Sequence, residues 1–422
     1  MLYVDDNYYD SEYFELRYQQ FDQHPILSQC KSKRFAVCLE DVALWIALSL
    51  YLKAKGGSVF PMPVDTPVDA ARRRAQRSQC HYLLFGEGES DLDQIETITE
   101  RGGDSEPVLV QTSSGTTGEP KFIERAWQSI DVEIAHYVED FSEANAMTPV
   151  VACPVTHSYG LICGVLVALQ RGVEPVVIKN SNPKYIIRKL TEVDAPILYS
   201  SPTLISTITM LVPAATPIHA VMTSGTLMQK AWFDTVKQKV TRLYQQYGCS
   251  EAGCIALGQD IQSVSDIGKP LSHLSVTAGQ SSAEPAEIVV TKDDGQVIRT
   301  QDLGYFDQHG SLHFVARMDD MINVSGFNVY PAEVEEVVLE LPQILDAVVF
   351  KRRHQFGNDQ VCLNYVLDPT RADQNISEQE IREWCRRYLA SHQIPMHIQR
   401  VDAVPKLPNG KISRKKLTDA MA

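Results

Sequence analysis

The segment Thr112-Ser113-Ser114-Gly115-Thr116-Thr117-Gly118-Glu119-Pro120-Lys121 gathers hydroxyls, glycines and a cation into ten residues. Gly115 and Gly118 can take positive φ and let the backbone approach a ligand closely. Successive N–H groups with Ser and Thr hydroxyls make a nest for an anion, and Lys121 adds a point charge. Phosphate is the guest that such a nest suits. A polar surface hairpin is the plain alternative for the same composition. A Walker-type loop would need Gly-Lys-Ser/Thr opening a helix. Here the lysine follows Pro120 and precedes Phe122, so that template fails.

Other positions carry charge suited to the same guest. Glu251 closes Tyr247-Gly248-Cys249-Ser250-Glu251, and Asp302 opens Asp302-Leu303-Gly304-Tyr305-Phe306-Asp307. Lys411 lies in Pro405-Lys406-Leu407-Pro408-Asn409-Gly410-Lys411-Ile412. A carboxylate such as Glu251 is a hard ligand for Mg²⁺, and one such as Asp302 accepts hydrogen bonds from sugar hydroxyls. Each residue also has a structural reading. Glu251 can be a turn acid, Asp302 a turn cap, Arg317 a surface ion-pair partner, and His157 a histidine at a strand end. Lys411 can belong to a solvated basic tail with Lys406, Lys415 and Lys416.

Strands alternating with helices must position these groups. Phe35–Leu39 reads as a strand, Asp41 caps a helix to about Ala54, and Gly56-Gly57 breaks it before a strand at Val59–Pro63. The alternation continues through a helix at Gln128–Phe141, a strand at Pro149–Ala152, a buried helix at Gly160–Gln170 and a strand at Ala220–Met222. It predicts α/β architecture with doubly wound parallel sheets. From about Gln259, Gly268, Gly279, Gly295, Gly304 and Gly310 punctuate short strands, which predicts an antiparallel β subdomain. Beyond Arg317 a helix, two strands and a helix opened by Ser377 with Glu380 predict a small α+β domain. The expected division is 1–318 and 319–422. Residues 1 to about 30 are polar and aromatic and say little.

At 422 residues the chain exceeds one ordinary core. Its 44% hydrophobic and 22% charged content fits a soluble globular protein. A net charge of −14 argues against nucleic acid or an anionic membrane as partner. Phosphates must then be held by local groups and a cation. The 9 cysteines include no C-x-x-C pair, which suggests reduced thiols in a cytoplasmic protein. Acidic residues Asp5, Asp6, Asp10 and Glu12 stand where a signal peptide would be basic then apolar. The apolar runs near Val42–Leu52 and Val150–Leu169 are too short or too interrupted to span a membrane.

Taken together, the motifs resemble those of the adenylate-forming superfamily: acyl- and aryl-CoA synthetases, adenylation domains of peptide synthetases, and luciferases. Leu52-Lys53-Ala54-Lys55-Gly56-Gly57-Ser58-Val59-Phe60-Pro61 resembles an early segment of that family. Arg317-Met318-Asp319-Asp320-Met321-Ile322-Asn323-Val324-Ser325-Gly326 resembles its hinge and following loop. With the phosphate loop, the Glu251 and Asp302 motifs and the C-terminal lysine motif, six stretches stand in the family's order.

The resemblance implies activation of a carboxylic acid by ATP and Mg²⁺ to an acyl-adenylate. Transfer to the thiol of CoA or of a separate acyl or aryl carrier protein follows. It gives Thr112, Ser113, Ser114, Gly115, Thr116, Thr117, Gly118 and Lys121 to the phosphates, with Thr116 at the reacting centre. Tyr247, Gly248, Ser250, Asp302 and Arg317 also go to the nucleotide, and Glu251 to the metal. His157, Ser158, Ser224 and Gly225 go to the acid. Asp319 is the hinge of a mobile C-terminal domain, Gly326 lines the pantetheine tunnel, and Lys411 swings in as the catalytic cation.

The Pro120–Arg125 run and His157-Ser158-Tyr159 resemble aryl-acid activators, although Ser158 replaces their Asn, so the acid is aromatic or fatty. Other departures are Phe122 and Gln301 for glycines, Trp127 for His, and only 111 residues ahead of Thr112, as if the N-terminal subdomain were trimmed. A non-catalytic nucleotide-binding regulator and a luciferase-type oxygenase are the alternatives on this fold.

Overall fold

Asp41 starts the helix on which the two large sheets close. Its carboxylate accepts the N–H of Leu44 at 3.0 Å, and the helix Val42–Lys55 ends at Gly56 with φ 78°. Ala43 to Leu48 are all buried, so this helix is apolar all round, as an interior helix must be. Burying each of Leu44, Ile46, Leu48 and Leu52 contributes roughly 1.5–3 kcal/mol. The computed structural model describes residues 1–100, 102–113, 121–213, 215–324, 327–353, 359–371, 376–406 and 412–420.

Among the described residues the first sheet runs Glu96–Thr97, Tyr82–Gly86, Arg34–Leu39, Ser58–Pro61, Val108–Ser113 and Lys121–Ala126. Its inner strands are parallel, and its last pair is antiparallel. Strand period sorts the side chains. Phe35, Val37 and Leu39 enter the main core, whereas Ala36 and Cys38 meet Ala71 and Ala75 of the helix Val68–Arg77 on the other face. The sheet is therefore covered on both sides, as crossover connections require.

Among the described residues the second sheet has 13 strands. Its parallel half comprises Thr148–Val151, Pro196–Ser200, Ile218–Thr223 and the start of Val240–Cys249. It too is sided. Val151, Ile197, Tyr199, Ala220 and Met222 share the main core, while Val150, Leu198 and Val221 pack on Ile186, Ile205, Ile208 and Val236. The antiparallel strands expected as a β subdomain are not a separate sheet. Ala256 pairs with Pro270, and Gly268 with Leu312, so their ladder continues the parallel one. At the far edge Leu2–Val4 pairs parallel with Val176–Val177, which gives the uninformative N-terminus a place in the sheet.

After Ile322 the chain builds its own core. Ile322, Val329, Val334, Val349, Leu363, Ile381 and Ile398 form one cluster beneath the sheet Ile344–Arg353, Asp359–Leu367 and His397–Arg400. Ser377 caps the helix Glu378–Tyr388 in the expected box with Glu380. No helix among the described residues is long and apolar enough to cross a membrane.

The helix Trp127–Asp140 meets the turn before Leu274–Thr277 through two stacked imidazoles, His136 and His273, 4.9 Å apart. Burial and then the neighbouring His136 hold the His273 pKa below its usual value, against the pull of Glu133, Asp293 and Asp140. The unfolded chain therefore binds the proton more readily. Stability should fall as pH drops through the ordinary histidine pKa of about 6.5 and towards the lower folded value. His273→Gln should flatten that slope in urea denaturation midpoints.

Candidate functional site

The phosphate-loop segment bridges two antiparallel strands. Thr112 pairs with Phe122 and Ser113 with Lys121, so Lys121 is set opposite the point where the loop departs. Lys121 is exposed. Ser114, Gly115, Thr116, Thr117 and Gly118 lie outside the described residues, as does the side chain of Ser113. Two departures from the family pattern have packing reasons. Phe122 meets Phe60 edge-on at 5.6 Å. Trp127 is buried at its helix start with Lys53 over its ring.

Tyr247, Asp302 and Arg317 form one constellation. The Tyr247 hydroxyl donates to Asp302 Oδ2 at 2.7 Å, and Arg317 Nη1 lies 3.2 Å from Oδ1. Asp302 is 7% exposed, so these partners are what allow a carboxylate there. Burial and Asp302 push the Tyr247 phenol well up, which keeps it a donor. Burial of Arg317 is outweighed by Asp302 and Asp319, which hold its pKa above the ordinary arginine value. Gln301, in the place of a glycine, sits at φ 62°. Its N–H and side-chain amide both donate to Glu287, at 3.1 and 3.0 Å, which offsets a conformation that L-residues rarely adopt.

Cys249 pairs with Gly253, leaving Ser250, Glu251 and Ala252 as the turn between Val240–Cys249 and Gly253–Gly258. Gly248 is required, because a Cβ there would strike the Gly253 carbonyl. Glu251 is half-buried, and Lys292 Nζ donates to its carbonyl at 3.4 Å. Burial, with Glu251 close by, pushes the Cys249 thiol up to about 12. The turn therefore offers a hard oxygen ligand beside a protonated sulfur, a donor set that fits Mg²⁺ and not a soft metal.

His157 and Ser158 lead into a wide π-helical stretch, Tyr159–Leu166, a geometry frequent at functional sites. Ser158 Oγ donates to Gln111 Oε1. Tyr159 donates to the Met222 carbonyl at 2.6 Å, and Ser224 donates to the Gln246 carbonyl at 3.1 Å. Gly225 has φ 94° and open space around it. His157 is exposed, with its backbone N–H on the Pro154 carbonyl.

Asp319 bonds Arg317 Nε at 3.1 Å, and its carbonyl accepts from Lys351 at 3.0 Å. Lys411 and Gly326 lie outside the described residues. Their flanks are anchored. Lys406 bridges to Ile412 and reaches Asp346 at 3.0 Å. Arg414 takes Glu335 at 2.8 and 2.9 Å and Asp320 at 3.1 Å, next to the hinge position.

Sequence reading missed Gln111, Gln246 and the ion pair of Arg125 with Glu133. A signal existed for Glu133. It falls on the apolar face of its helix, in step with Trp127, Ile130, Ile134 and Tyr137.

A family model described as AMP-binding enzyme matches residues 69–278, and one described as AMP-binding enzyme C-terminal domain matches residues 333–411. The chain is 39% identical over 419 residues to 3,4-dihydroxybenzoate–aryl-carrier protein ligase of Bacillus anthracis, covering 99% of this chain and 98% of that protein. It is 25% identical to 2-succinylbenzoate–CoA ligase of Bacillus licheniformis, over 74% of this chain and 69% of that one. In structure it matches o-succinylbenzoate coenzyme A synthetase from Bacillus subtilis, solved with ATP and magnesium, with a TM-score of 0.83 at 18% identity. That match covers 99% of this chain and 96% of the other and speaks for the fold.

Asp302→Asn keeps the shape but weakens both the Arg317 pair and the acceptor offered to a sugar. It should lower affinity for a non-hydrolysable ATP analogue about tenfold, read by titration calorimetry without acid present.

Proposed function

The chain belongs to the family of AMP-binding enzymes, and from that premise we propose that its acid is aromatic and carries ring hydroxyls. The protein is an AMP-forming acid–thiol ligase that uses ATP and Mg²⁺. The acid's carboxylate oxygen attacks the α-phosphorus, the bond to pyrophosphate breaks, and acyl-AMP forms. A thiolate sulfur then attacks the acyl carbon, AMP leaves, and a thioester remains. Both reactants of the first step are anions, so positioning and charge neutralisation matter more than proton transfer.

The observation that carries the aromatic reading is how the acid-side hydroxyls are spent. Ser158, Tyr159 and Ser224 all donate to the protein itself, to the Gln111 side-chain carbonyl and to the backbone carbonyls of Met222 and Gln246. Each hydroxyl has a single proton, so once that proton is donated the oxygen offers only lone pairs. Lone pairs suit phenolic donors. A fatty chain would leave them desolvated and unmatched. The end-to-end likeness to a dihydroxybenzoate ligase supports the same substrate class.

The remaining roles follow. Lys121 and the loop residues Thr112 to Gly118 hold the phosphates, with Thr116 on the reacting one. Asp302 accepts from the ribose, with Tyr247, Gly248, Ser250 and Arg317 around it. Glu251 would hold Mg²⁺, which supplies charge neutralisation on the phosphate oxygens when bound. His157 and Gly225 border the acid. Lys411 supplies the cation at the reacting carboxylate. Domain 319–422 turns about Asp319 against domain 1–318, and Gly326 leaves room for a pantetheine arm. We take the acceptor to be the phosphopantetheine of a separate aryl carrier protein, again by likeness to the B. anthracis ligase. The 9 free thiols support a reducing, cytoplasmic setting.

Pyrophosphate exchange should be strong with dihydroxybenzoates and at least tenfold weaker, about 1.4 kcal/mol in transition-state binding, with unsubstituted benzoate or fatty acids. Equal exchange with a fatty acid would overturn the aromatic assignment. Lys411→Ala should lower exchange by about two orders of magnitude or more, whereas Gly326→Leu should spare exchange and block thioester formation. Equal loss of exchange in both variants would argue against two poses of the C-terminal domain.

A further inference from the structure

We propose that the buried pair Arg125–Glu133 is the positioning clamp of the turn that presents Glu251, and that it ties this turn to the strand beginning at Lys121. Both side chains are 2% exposed. Arg125 lies on the strand Lys121–Ala126, four residues on and so on the same face as Lys121. Its Nη2 bonds Glu133 Oε2. Glu133 Oε1 accepts the backbone N–H of Cys254 at 2.8 Å, one residue past the turn's closing pair of Cys249 and Gly253. Strand, helix and turn are joined through one carboxylate.

The glycine at the closing pair belongs to the same arrangement. Gly253 has φ 81°, and a Cβ there would overlap the Glu133 carboxylate and lie 2.6 Å from Arg125 Nη1. The charged groups thus press directly on the turn's backbone. As a stability device the pair is poor. Among the described residues, Arg125 Nε and Nη1 have no hydrogen-bond partner. Buried ion pairs with unmet donors are commonly matched in stability by apolar side chains of similar volume. What apolar side chains cannot supply is the acceptor for Cys254 and a fixed distance between Lys121 and Glu251. In this role Arg125 and Glu133 touch no substrate and act through the turn.

The inference rests on Glu251 as the metal-side ligand, and its test keeps the two apart. The double variant Arg125→Leu/Glu133→Leu removes the charges together, and Glu133→Gln keeps an acceptor while removing the charge. Two readouts need no turnover. One is amide exchange of residues 249–254 in the free protein. The other is Mn²⁺ binding with α,β-methylene-ATP, followed by electron paramagnetic resonance. The double variant should keep a cooperative melting transition, yet exchange the Cys254 amide at least about 100-fold faster and bind Mn²⁺ with the analogue at least about tenfold more weakly. Glu133→Gln should retain most of the amide protection and lose part of the Mn²⁺ affinity. Amide protection and Mn²⁺ affinity within about twofold of the parent in the double variant would overturn the clamp. If the double variant does not fold, unchanged Mn²⁺ affinity in Glu133→Gln would overturn it instead. Glu251→Gln, with the pair intact, should lose Mn²⁺ affinity while keeping the amides protected. Retained affinity there would remove the metal role of Glu251, and amide exchange alone would then decide whether the pair fixes the turn.

Discussion

A single carboxylate, Asp302, holds three parts of the molecule in register. Tyr247 reaches it from the end of the parallel half of the large sheet, and Arg317 from the neighbouring antiparallel strand. Arg317 also grips Asp319, where the chain leaves the core for the C-terminal sheet. A carboxylate this buried cannot stand alone, because its desolvation must be met by partners. Its placement therefore dictates where Tyr247 and Arg317 lie. The Tyr247–Asp302–Arg317 cluster and the exit of the core are one arrangement.

The same economy governs the rest of the site. The chain carries a net charge of −14, so its long-range field repels anions. Attraction for an anion must then come from short-range cationic groups and a bound cation. Lys121 starts an edge strand opposite Ser113, and Glu251 tips a three-residue turn. Arg414 binds Asp320 and Glu335, so the segment after Lys411 is fastened to the residue beside Asp319. Local pairings thus fix where each of these charged segments lies.

Much of this was legible in the sequence because it is written in local terms. Asp41 and Gly56 bound their helix, Ser377 and Glu380 form their box, and the six motifs stand in order. Of the two readings of the loop, the hairpin is met in its flanks, since Val108–Ser113 and Lys121–Ala126 pair antiparallel. What could not be read depends on distant partners. Leu2–Val4 becomes a strand only because Val176 and Val177 offer an edge. The glycine-punctuated strands join the large sheet through one short ladder at Ala256 and Pro270. Glu133 stands out in its helical stripe, but its meaning lies in Arg125 and in a backbone N–H 121 residues further on. Gln111 shows no local mark at all, and only the fold brings it to Ser158.

At the proposed acid site, the committed hydroxyls of Ser158, Tyr159 and Ser224 bear on what the protein would refuse. Their protons are committed to carbonyl oxygens of the protein, so they cannot reverse direction without breaking bonds inside the wall. A methoxy acid differs from its parent phenol by a methyl group, a small change in outline. Against such a wall it is a large change in polarity, because an ether oxygen brings lone pairs to meet lone pairs. With the acid at the site proposed above, O-methylation would act as a chemical lock, excluding it before any ATP is cleaved.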